Sequence, residues 1–422
     1  MDGAASGGPE PGVGGPGGGR RVVATGVGVI SALGLSTASH CEALNEGRDG
    51  VATLEIEDID RLAITRAAQA KAFVGEDRYS RSQMALYDRT TQMALAAAAE
   101  AMRASGLEVD EALGLRCAVI MGTALLGMGT IDDNYRDVFQ EKKNRVHPFI
   151  VPRLMNSAPV SFISMEYGLK GPAFSVSTAC SSANHAMGQA FHMVRSGAAD
   201  VAVTGGVEAP LTFGTMKAWE GLRVMTKDVC RPFAKTRNGM TLGEGAAVFV
   251  FEELERAKAR GAEIWGEIAG FGMSADAGDI VQPSVDGASR ALRGALADAG
   301  MAPEEVGYIN AHGTGTAAND RTEVQAVREV FGAHADALVI SSTKSMHGHA
   351  LGGAGALEMV ALLHALRSGV LPPTINYDEP DPECDVDVAP NAAREAKAAA
   401  GVSNSFAFGG LNAVVAARRW DG

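Results

Sequence analysis

The run Ser175-Val-Ser-Thr-Ala-Cys180-Ser-Ser-Ala-Asn-His-Ala-Met-Gly-Gln-Ala-Phe-His-Met-Val-Arg195 decides how the rest of the chain is read. An apolar, β-leaning lead-in at residues 173–176 passes into Ser177, Thr178 and Ala179. After Cys180, apolar residues recur at helical spacing through Ala186, Met187, Ala190 and Met193. The expected shape is strand, tight turn, helix, with Cys180 at the turn. A thiol there faces unpaired N–H groups and the positive end of a helix. Both favour the thiolate, the form that acts as a nucleophile. The alternative is a buried structural cysteine, since free Cys is among the most buried residue types. The stretch alone leaves both readings open.

At 422 residues the chain exceeds one typical core, so two units or a duplicated fold are expected. The apolar share of 46% and charged share of 21% are those of a globular protein. A net charge of −13 excludes a general nucleic-acid surface, which needs a basic stripe, but leaves room for local basic patches. Cys41, Cys117, Cys180, Cys230 and Cys384 form no CxxC pair, so neither a disulfide framework nor a thiolate metal site is indicated. A reducing, cytoplasmic setting follows from that usage. No apolar run reaches membrane-spanning length, and no signal peptide is visible. Residues 1–20 are mostly Gly, Pro, Ala and Ser and are read as a disordered tail outside the fold.

Residues 21–30 form a β-branched run broken by glycines, and helical patterns follow at 37–46 and 88–105. Short, fully apolar strands are expected at 117–122, 199–205 and 246–251. Strands alternating with helices imply an α/β class with parallel pairing. The second half echoes the first: Ile268-Ala-Gly-Phe-Gly272 resembles Val23-Ala-Thr-Gly-Val-Gly28. The run from Val339 through a Gly/Ala-rich helix to Gly369 resembles the Cys180 stretch, with about seven extra residues. This predicts two duplicated halves, 21–260 and 261–422, whose equivalent turns meet at a pseudo-symmetric interface. The nucleophile then comes from one turn and its partners from the other.

Two histidine segments occupy Gly-rich loops at strand ends, where open α/β sheets place their sites. They are Asn310-Ala-His312-Gly-Thr314-Gly-Thr316 and Lys344-Ser-Met-His347-Gly-His349. Metal binding by His347 and His349 is disfavoured, because no matching carboxylate cluster accompanies an i, i+2 pair. Near the C-terminus, Asn404-Ser-Phe-Ala-Phe408-Gly-Gly exposes backbone N–H groups suited to an oxyanion hole; a plain hairpin turn is the alternative.

Together and in order, Ser-Thr-Ala-Cys180-Ser-Ser, Asn-Ala-His312-Gly-Thr-Gly-Thr, Lys344-Ser-Met-x-Gly-His349 and Asn-Ser-Phe-x-Phe408-Gly-Gly resemble the β-ketoacyl–acyl carrier protein synthases of the elongating, Cys–His–His type. The resemblance spans residues 21–417. It implies a thiolase-like fold of two βαβαβαββ-type halves in a five-layered αβαβα arrangement, working as a homodimer or as a heterodimer with a ketosynthase-like subunit. It implies decarboxylative condensation of malonyl–carrier protein with an acyl group held on Cys180. Substrates ride on the carrier's phosphopantetheine and no cofactor is required.

By the same resemblance, His312 and His349 act on malonyl, Lys344 and Glu323 support the site, and the N–H groups of Cys180 and Phe408 form the oxyanion hole. Thr314 and Thr316 contact the phosphopantetheine arm. Phe233 lies beside the malonyl pocket, Phe408 gates Cys180, and Leu125 and Ile150 limit chain length. Lys142, Lys143, Arg145 and Arg223 are the candidates for carrier docking.

Departures include Ala234 and Asn238 where family members carry acids, Leu411 in place of Thr, and Arg81-Ser-Gln where several basic residues are usual. His347 and Phe-Ala-Phe408 point toward the nodulation-type and secondary-metabolite members. A non-catalytic chain-length-factor-like subunit is the nearest rival, and it generally lacks the active cysteine. A thiolase needs a second late cysteine, and Cys384 sits in an acidic loop unsuited to that role. Lys344 with His349 argues against the initiating Cys–His–Asn synthases.

Overall fold

The computed structural model describes residues 19–422; the tail read at residues 1–20 lies almost wholly outside them. Ten strands form one mixed sheet: β1 (Val22–Ser31), β2 (Cys117–Gly122), β3 (Ala173–Val176), β4 (Val201–Glu208), β5 (Gly245–Glu253), β6 (Gly266–Ala275), β7 (Val306–Asn310), β8 (Val339–Ser341), β9 (Ala400–Ala407) and β10 (Leu411–Arg418). Nine helices matter for the site and its support. They are α1 (Thr37–Glu46), α2 (Arg89–Ser105), α3 (Ala158–Tyr167), α4 (Ser182–Arg195), α5 (Phe213–Leu222), α6 (Val285–Asp298), α7 (Ala317–Phe331), α8 (Lys344–His347) and α9 (Leu351–Ser368).

The strand order is β8-β7-β9-β10-β6-β1-β5-β4-β2-β3. Read outward from the β1/β6 seam, β1-β5-β4-β2-β3 on one side is matched by β6-β10-β9-β7-β8 on the other. Each strand of the second set is the fifth after its counterpart. The seam is short: Val22, Val23 and Ala24 pair antiparallel with Ile268, Glu267 and Gly266.

Parallel pairing is confined to the outer three strands of each set. The expectation of general parallel pairing is therefore corrected, since β5, β1, β6 and β10 run antiparallel to their neighbours. Strands buried on both faces read as the same apolar runs in either direction, so residue pattern does not report it.

Three apolar cores stack through the molecule. One joins α2 and α3 to the outer face of the first set. A second joins α6 and α7 to the second set. The central core holds α4 and α9 against strands of both sets. Outer helices, first strand set, α4 and α9, second strand set, outer helices is the resulting order.

The echoed glycines explain how the outer helices come so close. A Cβ on Gly26 or Gly28 would lie 2.2 Å from Ala101 O or 2.0 Å from Ala97 O in α2. On Gly270 or Gly272 it would lie 2.6 Å from Ala295 O or 2.1 Å from Ala291 O in α6. Any side chain there would push the helix off the sheet.

Candidate active site

Strand β3 ends at Val176, and the chain turns through Thr178, Ala179 and Cys180 into α4. Ser181 N–H donates to Thr178 O at 3.2 Å and Ser182 N–H to Ala179 O at 3.2 Å. The Ser182 hydroxyl closes the turn, donating to Ala179 O at 2.6 Å and accepting from Thr178 N–H at 2.9 Å. Ala179 takes φ +51°, a left-handed value that costs a non-glycine residue free energy and clusters at functional turns. Cys180 is buried, 7% exposed.

Burial pushes the Cys180 thiol up to about 12, against the pull of Lys344 and of the nearby Phe408 backbone N–H. Removing the thiol from water outweighs the nearby positive charge and donor.

His312 follows β7, and its loop is pinned by one carboxylate. Glu323, buried in α7, accepts from the N–H groups of His312 at 2.8 Å and Gly313 at 2.7 Å, and from Asn404 Nδ2 on β9 at 3.1 Å. Lys344, the first residue of α8, is 1% exposed and donates to His312 O at 2.6 Å and to His312 Nδ1 at 3.3 Å. An ammonium only donates, so Nδ1 accepts and the neutral ring carries its proton on Nε2. Burial, reinforced by Lys344 and His349, holds His312 well below the usual histidine range.

Burial, reinforced by Lys344 and His347, likewise holds His349 well below the usual histidine range. Its backbone is strapped beside Thr241 and Gly243, and the two imidazoles meet edge to face at 5.4 Å.

Cys180, His312 and His349 share one cavity of about 360 Å³, whose wall also includes Thr314, Thr316, Phe406 and Phe408. The Thr314 and Thr316 hydroxyls are 2.9 Å apart. The Phe408 ring stacks on Trp219 at 6.0 Å and 23°. Phe408 precedes Gly409 and Gly410, at φ +81° and +67°, in the β9–β10 connection. That connection is the hairpin turn, and it brings the Phe408 N–H near the Cys180 thiol.

Other expected residues lie elsewhere. Phe233 is fully buried and does not line this cavity; a Cβ on Gly313 would lie 3.1 Å from its ring edge, so it packs beneath the His312 loop. Leu125, 37% exposed, and Ile150 also lie off the cavity wall. Arg223, between the wall residues Leu222 and Val224, stands at the rim. Lys142, Lys143 and Arg145 belong to the exposed approach to residues 150–154, away from the wall, and Lys143 is paired with Asp137 and Glu141. His347 turns away from the cavity: its Nε2 meets Thr343 Oγ1 at 2.9 Å and its ring faces His40 at 6.2 Å.

Sequence reasoning missed Glu358, the buried carboxylate in ionic contact with Lys344. Burial raises it to about 7 against the pull of Lys344. Its signal was available: it is the sole carboxylate in the apolar helix α9. Asp320 was missed as well. It accepts from Phe233 N–H at 2.8 Å and Gly315 N–H at 3.2 Å, tying both loops to α7.

The model of the β-ketoacyl synthase N-terminal domain matches residues 19–257, and that of the C-terminal domain matches residues 265–378. Nodulation protein E of Rhizobium sp. (strain N33) is 47% identical over 400 residues, covering 95% of this chain and 99% of that protein. The 3-oxoacyl-[acyl-carrier-protein] synthase 2 of Staphylococcus aureus (strain COL) is 37% identical over 409 residues, with 95% and 99% covered. Among solved structures, the ishigamide ketosynthase/chain length factor superposes with a TM-score of 0.90 at 36% identity, covering 95% of this chain and all of that one. A type II ketosynthase in complex with its acyl-carrier protein gives 0.87 at 30% identity, with 96% and 100% covered. The two family models together cover most of the chain, and relatives up to 47% identical match it along nearly its whole length: the chain belongs to the β-ketoacyl synthase family, acyltransferases of thiolase-like fold.

Proposed function

We propose that the protein elongates an acyl chain held on Cys180 by decarboxylative condensation with malonyl–carrier protein. The observation that carries this reading is the convergence of the thiol, two neutral imidazoles and the Phe408 N–H in one cavity.

Cys180 attacks the thioester of an acyl–carrier protein, and the pantetheine thiol leaves with the cysteine's proton. Malonyl–carrier protein then enters past Thr314 and Thr316. His312, through Nε2–H, and His349 donate to the malonyl thioester oxygen, stabilising the enolate left as CO2 departs. The enolate carbon attacks the acyl-Cys180 thioester, and the N–H groups of Cys180 and Phe408 hold the oxyanion. Collapse releases β-ketoacyl–carrier protein and the Cys180 thiolate, which takes a proton from water to restore the thiol. Lys344 fixes the His312 tautomer and Glu323 fixes its loop, so both are positioning residues.

Residues 21–260 and 261–422 act as the two halves, one supplying the nucleophile and the other the two histidines. No cofactor enters this scheme. Arg223 at the rim is the leading candidate for an acidic carrier's first contact, with Lys142, Lys143 and Arg145 farther out. Exposed apolar residues Tyr135, Phe139, Phe149, Val151 and the β3 residue Phe174 supply a face for a second ketosynthase-like subunit, identical or not. Among the described residues no helix is long and apolar enough to cross a membrane, and a cytoplasmic setting suits five free cysteines. The non-catalytic, chain-length-factor-like role is disfavoured by an intact thiol and both imidazoles.

Intact-mass measurement after exposure to a panel of acyl–carrier proteins tests the reading. A gain equal to the acyl group is expected for at least one chain length, and none for Cys180→Ala. No adduct with any chain, or an adduct kept by Cys180→Ala, overturns it.

A further inference from the structure

Glu208, the last residue of β4, is fully buried and has no part in the chemistry above. Its carboxylate accepts four hydrogen bonds. Three come from the loop after β2: Thr123 Oγ1 at 3.1 Å, Ala124 N–H at 2.7 Å and Leu125 N–H at 3.0 Å. The fourth comes from Gly352 N–H at 3.1 Å, in the first turn of α9. One oxygen, Oε2, therefore holds both Ala124 and Gly352.

The surroundings are packed to backbone contact. A Cβ on Gly352 would lie 2.4 Å from Ala124 N, and one on Gly122 would lie 2.4 Å from Ala183 N in α4. Between His349 and Gly352 stands Leu351, buried at φ +41°, a strained corner that persists only where its neighbours hold it. Leu351 packs in the same apolar cluster as Cys180.

We propose that Glu208 is a positioning residue that locks the loop after β2 to the strained corner carrying His349, so that malonyl decarboxylation depends on a carboxylate outside the cavity wall. The proposal rests on the ketosynthase reading. An isosteric amide keeps the volume but replaces one acceptor oxygen with a donor, which opposes the loop and helix N–H groups.

The experiment compares wild type with Glu208→Gln, both shown to be folded by their melting curves, in two assays. One measures decarboxylation of malonyl–carrier protein, and the other measures acylation of Cys180 by intact mass. In Glu208→Gln, decarboxylation is expected to fall about tenfold while acylation of Cys180 stays within about twofold. Equal loss in both assays, or no change in either, overturns the tie. A wild type lacking both activities overturns the ketosynthase reading instead. Thr123→Val removes only a loop bond and covers the case in which Glu208→Gln does not fold. It is expected to lower decarboxylation about threefold and leave Cys180 acylation unchanged; unchanged decarboxylation, or an equal loss of acylation, counts against the proposal.

Discussion

The elbow that carries Cys180 and the elbow that carries His349 are the same unit built twice. In the first, β3 passes directly through Ala179, at φ +51°, into α4. In the second, β8 is followed by the extra one-turn helix α8, then by Leu351 at φ +41° and α9. The insertion read in the sequence as loop is thus a short helix whose first residue is Lys344. A direct turn exposes one reactive atom. An inserted helix turns a cation inward, where it fixes the neighbouring histidine's tautomer and meets a carboxylate.

The sharpest way to break the comparison is to disable each elbow separately. Cys180→Ala is expected to abolish elongation, a loss of at least about 10⁴-fold, while malonyl decarboxylation survives. His349→Ala is expected to do the reverse, retaining acylation of Cys180 and losing decarboxylation. Kinetics of the two half-reactions decide it: an elongating Cys180→Ala protein, or a His349→Ala protein that still decarboxylates, would show that the elbows do not divide the chemistry.

A smaller effect sharpens the role of the inserted helix. Lys344→Met leaves the buried Glu358 without its partner, and denaturant unfolding should show a loss of about 3 kcal/mol. The figure sits at the low end because Glu358, raised to about 7, can take up a proton near neutrality. The double variant Lys344→Met/Glu358→Gln should recover part of that stability. If the double variant is no more stable than the single one, the pair is not what Lys344 supports.

The smallest expected effect concerns the first elbow alone. With Cys180 raised to about 12, its thiolate fraction grows about tenfold per pH unit through the neutral range. Alkylation by a small reagent should rise with pH in step from 6 to 9. A rate that levels off below pH 7 would mean that the helix end and Phe408 N–H outweigh burial after all.

Much of this site was legible because its parts are local. Cys180, His312, Lys344 and His349 sit in strand–turn–helix segments whose glycines and small residues write the turn into the sequence. The paired glycines of β1 and β6 announced the duplication in the same way, since only a missing side chain lets a helix backbone approach within 3 Å of that site. What stayed hidden depends on partners far along the chain. The direction of His347, the placement of Phe233 beneath Gly313, and the four donors of Glu208 each join segments that share no pattern.

By itself, then, the sequence determined the order of elements, the doubling and the reactive groups, because backbone conformation and periodicity are set by near neighbours. Only the tertiary structure decided the antiparallel seam, the upward push of burial on the Cys180 thiol and the pairing of Lys344 with Glu358. Those depend on burial and on electrostatic distances, which exist only once the two halves have closed on α4 and α9.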